Sequence, residues 1–216
     1  MARTIAENLA AKTLTPETLS RRLQKDPGLL PDVLAGLQST TPAVRYGCSK
    51  ALVLLSTDAP TILYPHFDTF TRLLDSPHRI LTWNALSILA NLTRVDTKGK
   101  FEAIFDRYYR FLTSGYLVTA ATVVDSSATI AANKPALADR IATELLTIDR
   151  LPTSPHLTAE CKRILAEKAM NAFDSFYDQL TTHDEVLAFA TRHTTSTRPT
   201  TQKAARAFLH KHRGSP

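Results

Sequence analysis

The sequence predicts an all-α protein, a right-handed α-solenoid of about five helical hairpins followed by C-terminal helices. Three observations lead there. Apolar residues recur at spacings of three and four, and no stretch alternates convincingly with period two. One helix pattern occurs twice at a spacing of 34: Pro42, Val44, Arg45, Cys48, Ala51, Leu52, Leu54 and Leu55 are followed by Arg79, Thr82, Ala85, Leu86, Ile88 and Leu89, and Pro31 and Pro65 keep the same offset. Helix starts marked at 42, 77, 115 and 155 are separated by 35, 38 and 40 residues, one hairpin each with small loop insertions. A self-similar period of that size means a helical unit stacked on copies of itself, each copy burying an apolar face its neighbour cannot bury alone.

The elements follow in order. Thr15-Pro16 opens a helix through Leu19, Leu23 and Gln24, and a second helix runs from Leu29 to Leu37. Thr41-Pro42, Ser76-Pro77 and Ser154-Pro155 each offer a capping hydroxyl followed by a proline at the first helical position, where a missing N–H costs nothing; Ser114-Gly115 takes that place in the fourth unit. The second unit pairs 42–56 with 60–74, and the third pairs 77–93 with 99–113, whose stripe is Phe101, Ile104, Phe105, Tyr108 and Leu112. The fourth pairs 116–132 with 135–149, with a stripe of Leu137, Ile141, Leu145 and Ile148. Neither Pro nor Gly interrupts the stretch after Pro155 up to Leu180, so a long helix is expected with Cys161, Ile164, Leu165, Ala169, Ala172, Phe173, Phe176 and Leu180 on its buried side. Thr182 to Glu185 has capping-box spacing and starts a helix to His193; a linker, 194–201, precedes a final helix to about His212. The expected division is a solenoid over 1–180 and capping helices with a basic tail over 181–216.

Composition bounds the function classes. With 44% apolar and 21% charged residues the chain is an ordinary globular protein, not a disordered one. Its two cysteines, Cys48 and Cys161, fall at apolar positions of helical patterns and read as small core residues in a reducing compartment. Met1-Ala2-Arg3-Thr4 leads into no apolar signal region, and the longest apolar run, 51–55, is far too short to span a bilayer, so a cytoplasmic protein is expected. The net charge of +6 is uneven: all 20 acidic residues and 20 of the 26 Lys and Arg lie at or before Glu185. The excess is Arg192, Arg198, Lys203, Arg206, Lys211 and Arg213, a hint of an acidic or polyanionic partner that a solvated terminal segment explains as simply.

Pro42-x-Val44-Arg45-x-x-Cys48-x-x-Ala51-Leu52 resembles the first-helix pattern of HEAT repeats, in the wider armadillo-like superfamily, with Cys48 in a small-residue slot. Leu63-Tyr64-Pro65 resembles the Leu-x-Pro step of their second helix. Small residues at 48, 51, 82 and 85 let helices approach closely, and the proline bends the second helix around its neighbour. The resemblance covers roughly 15–180 and implies a curved scaffold or adaptor without a catalytic site. One HEAT-like branch, the alkylpurine DNA glycosylases, is enzymatic and uses an aromatic and Asp pocket. Here no acidic residue shares the helix of the only tryptophan, Trp83.

The candidate sites are therefore surfaces. If the second helices line the concave side, His66, Arg72, Arg107, Arg110 and Arg140 are its partner-binding residues. Arg45 and Arg79 read as a repeated arginine that either ties repeats together through carboxylates or carbonyls, or binds an anion. Trp83 and Asn84 read as packing between repeats. The aromatic and basic segment 101–112 reads first as core and second as a stacking platform for single-stranded nucleic acid. On the last helix Lys203, Arg206, His210 and Arg213 form a basic stripe opposite Ala204, Ala205, Phe208 and Leu209, either a polar-faced cap or an anion-binding face. No phosphate loop, paired-cysteine or metalloprotease motif occurs, and no cofactor or metal is expected. The expected function is a non-enzymatic scaffold for a protein partner, with nucleic-acid binding through the tail as the alternative.

Overall fold

A computed structural model describes residues 3–212, which are helical and fold as two compact units dividing between Phe101 and Glu102. In the first unit, α1 (Ile5–Ala10), α2 (Pro16–Lys25), α3 (Leu30–Gly36), α4 (Pro42–Asp58), α5 (Pro60–Leu63), α6 (Phe67–Leu73) and α7 (Arg79–Leu92) form the hairpins. Helix α2 packs on α4, and α4 on α7, with α3 and α6 supplying the second layer. The core is Leu19, Leu23, Val33, Leu52, Leu55, Leu63, Phe67, Phe70, Ala85, Leu86 and Leu89. Pro65 cannot donate to an α-helical ladder, and the second helix of its hairpin is broken there by a 3-10 turn, Tyr64–His66. The side chains of Asn84 and Asn91 donate to Ser49 Oγ at 2.8 Å and Ser56 Oγ at 2.9 Å, tying α7 to α4. That is the packing role expected for Asn84.

The repeat register is 37 residues, not 34. Buried Val44, Arg45, Cys48, Ser49, Ala51, Leu52, Leu55 and Ser56 in α4 correspond one to one with buried Leu81, Thr82, Ala85, Leu86, Ile88, Leu89, Leu92 and Thr93. An offset of 34 differs by three residues, close to one helical turn, so it lines up similar residue types while misaligning the faces slightly. Arg45 and Arg79 are thus not equivalent: Arg79 is exposed at the start of α7, and Thr82 occupies the Arg45 position. The face recurs in α9 (Leu117–Asn133) at Thr119, Ala120, Val123, Val124, Ser127, Ile130 and Ala131.

The second unit contains most of α8 (Lys100–Tyr109), then α9, α10 (Ala138–Leu146), α11 (Ala159–Phe176), α12 (His183–His193) and α13 (Pro199–His212). Helix α11 lies between α9 and α13, and α12 packs on α13. Phe105, Tyr108, Tyr109, Ile141, Leu145, Phe173, Phe176, Phe189, Phe208 and Leu209 are buried. Ile104, Cys161 and Ile164 are only half-buried, against their expected core placement. Burial pushes the Cys48 thiol up to about 11 and both the Tyr108 and Tyr109 hydroxyls upward, as expected for core side chains.

Several caps differ from expectation. Helix α11 starts at the Thr158 hydroxyl, which accepts from Cys161 N, while Ser154 Oγ donates to the Gly115 carbonyl at 2.6 Å. Helix α7 starts after His78, whose N–H donates to Ser76 Oγ. Thr182 makes no capping bond; its hydroxyl and the Thr181 hydroxyl and amide donate to Asp139, whose carboxyl these bonds hold below the usual range. Each local hydroxyl found a partner outside its own helix, which sequence spacing cannot reveal.

Candidate binding groove

At one edge of the first unit, the C-terminal ends of α3 and α6 and the turns that follow them enclose a groove of about 500 Å³. Leu37, Leu73 and Leu81 form apolar wall; Ser39, Thr69 and Ser76 contribute hydroxyls; Arg45, Arg72 and His78 contribute basic groups, with Asp75 among them. The turns that make it, 37–41 and 74–78, are Ser/Thr/Pro-rich because no helical ladder satisfies their backbone there.

Arg45 sets the chemistry of this groove. Only 8% exposed, it is the one Lys or Arg among the buried described residues. Its Nη1 donates to the Ser39 carbonyl at 2.7 Å and its Nη2 to the Tyr46 hydroxyl at 3.4 Å, while its carbon centre lies 4.8 Å from the Tyr46 ring. Its Nε is buried without a hydrogen-bond partner. Each of these partners is neutral, so the buried positive charge has no carboxylate in hydrogen-bond or ion-pair contact, although Asp75 lines the same groove. Tying to a carbonyl is one of the roles its sequence allowed.

The predicted partner-binding residues are distributed over both units. Within the first, Arg72 is exposed on the groove and donates to Thr69 Oγ1 at 3.1 Å, whereas His66 is half-buried in its 3-10 turn outside the groove. Within the second, Arg140 pairs with Asp106 at 3.0 Å and lies 4.0 Å over the Phe105 ring, Arg107 is half-buried and Arg110 is exposed. The groove has no signature in the sequence because its lining combines two turns, 37–41 and 74–78, with side chains from four different helices.

On α13, Lys203, Arg206 and His210 are exposed, opposite buried Ala205, Phe208 and Leu209; Arg213 lies outside the described residues. Three other tail cations are engaged. Arg192 and His193 hold Asp149 at 3.0 and 2.9 Å, Lys211 and His212 hold Asp174 at 2.8 and 2.6 Å, and Arg198 holds Glu160 at 2.8 Å. Burial alone would raise the Asp149 and Asp174 carboxyls, but the hydrogen bonds and charges of their basic partners outweigh it and leave both below the usual range. The Arg-His and Lys-His dipeptides were a signal for these clamps, visible in sequence but without a visible partner.

No family model and no curated protein matches the sequence. Among solved structures, the designed armadillo repeat protein YIII(Dq)4CqI is similar over 94% of this chain and 88% of its own, with a TM-score of 0.61 and 16% identity. A second crystal structure, of an engineered protein, matches over 95% of this chain and 87% of its own, with a TM-score of 0.58 and 19% identity. The fold is that of an armadillo/HEAT-like helical repeat protein. Among the described residues no helix is long and apolar enough to cross a membrane.

Proposed function

We propose that the protein is a non-enzymatic scaffold that holds a protein partner, and that the groove between the ends of α3 and α6 is a contact point. The observation that carries this reading is the groove itself: apolar walls, hydroxyls and basic groups converge in about 500 Å³ at the turn edge of a repeat fold. Repeat proteins of this kind present extended surfaces whose ligand is decided by exposed side chains. Arg72 is the predicted partner residue that belongs to this contact. The nucleic-acid alternative loses support because Arg192, Arg198 and Lys211 already have carboxylate partners in the body.

The test is selection of a displayed library of random peptides on the immobilised full chain. Enriched binders should lose about tenfold or more in affinity when Arg72→Ala is introduced, and should be unaffected by Lys203→Gln with Arg206→Gln. Failure to enrich any peptide above an unrelated control protein would sink the scaffold reading at this groove.

A further inference from the structure

We infer that the groove recognises an acidic peptide segment, a carboxylate seated against Arg45 and flanked by apolar side chains, which rests on the protein-binding reading above. A guanidinium taken out of water is costly unless an opposite charge accompanies it. Arg45 is 8% exposed, has only a carbonyl, a hydroxyl and a ring around it, and keeps a buried Nε without a partner. Packing does not require an arginine there: the same register position is Thr82 in α7 and Ala120 in α9, both buried. The missing component is a negative charge, and the groove on which Arg45 opens is the route by which one arrives.

The surroundings select its type. Arg72 and His78 lie on the same groove and favour an anion, whereas Asp75 disfavours a doubly charged one. Nη1 and Nη2 each give one hydrogen bond, so three of the five guanidinium N–H groups remain, the buried Nε–H among them. A singly charged carboxylate, which one guanidinium can neutralise, matches the single buried charge better than a phosphate, which asks for two compensating charges beside Asp75. Leu37, Leu73 and Leu81 take apolar neighbours of the acid.

Three measurements on the full chain test this. First, peptides enriched from the random library should carry Asp or Glu beside apolar residues, and changing that acid to its amide should weaken binding about tenfold or more. Second, the Arg45 Nε–Hε resonance, assigned by its loss in Arg45→Met, should move on titration with an enriched peptide and stay in place with the amide form. Third, Arg45→Met should be at least as stable as the parent without ligand, since removing an uncompensated buried charge relieves its desolvation. Enriched peptides without an acidic bias would overturn the inference while leaving the scaffold reading intact, and no enrichment would overturn both. Displacement of an enriched peptide by inorganic phosphate at lower concentration than by acetate would overturn the choice of carboxylate. Should Arg45→Met not fold, the amide-for-acid comparison and the resonance shift decide on the parent protein alone.

Discussion

Gly36 shows how closely the helices of the first unit approach. A Cβ at this last residue of α3 would meet Cys48 Sγ at 2.5 Å and Val44 Cγ1 at 3.7 Å. Cys48 is 1% exposed and cannot swing away, so Gly36→Ala should cost about 1–3 kcal/mol through overpacking. Cys48→Ala should remove most of that penalty when the two are combined, a coupling that denaturant unfolding of the parent, both singles and the double variant will measure. If the two costs simply add, the contact is not the cause. The sequence showed half of this relation. Cys48 was legible as a small core residue from its place in the helical pattern, whereas the partner that demands smallness, Gly36, lies in the preceding hairpin and carries no pattern of its own. Arg45 is the same lesson with charge: its residue type and spacing suggested a repeated surface device, and only its burial shows that it stands alone in its register.

At the scale of elements, the C-terminal ends of α12 and α13 are each fastened by two adjacent basic residues on one aspartate, Arg192 and His193 on Asp149 and Lys211 and His212 on Asp174. Asp149→Asn should lower stability by about 1 kcal/mol near neutral pH, a shift of about 2–4 °C in Tm for a chain of this size. The sign with pH follows from the depressed carboxyl. Its contribution is fully present above the ordinary aspartate value of 3.8 and is lost as pH falls further, through the lowered native value. Melting curves of parent and variant should therefore differ near neutrality and converge in acid; a gap that widens as pH falls would contradict the assignment. Hairpin pairings such as 42–56 with 60–74 were readable because a 3.6-residue apolar period and a proline are local signals. Helix starts were less readable: Ser76, Ser154 and Thr182 spend their hydrogen bonds on turns, on Gly115 and on Asp139 instead of their expected helices.

For the molecule as a whole, the net charge of +6 is a fact of composition that the fold redistributes. Six unpaired tail cations would be a polyanion-binding arm; with Arg192, Arg198 and Lys211 drawn onto Asp149, Glu160 and Asp174, the same residues fasten the last helices to the body. Lys203 and Arg206 remain exposed on α13, and Arg213 lies outside the described residues. Truncating the tail is a poor test, because Val186, Phe189, Ala205, Phe208 and Leu209 are buried and Phe189 packs edge-on against Phe173 at 5.9 Å. Lys203→Gln with Arg206→Gln removes charge and leaves that core untouched. Each neutralised phosphate contributes about −0.7 to −0.9 to the slope of log affinity against log salt, so three cations allow a slope no steeper than about −3 and six would give about −5. Filter binding to duplex and single-stranded oligonucleotides at several salt concentrations should return at most the shallower value, falling to about −1 in the double variant with its Tm unchanged. A slope near −5 in the parent would mean that the clamps open to free their cations, and would restore nucleic acid as the partner.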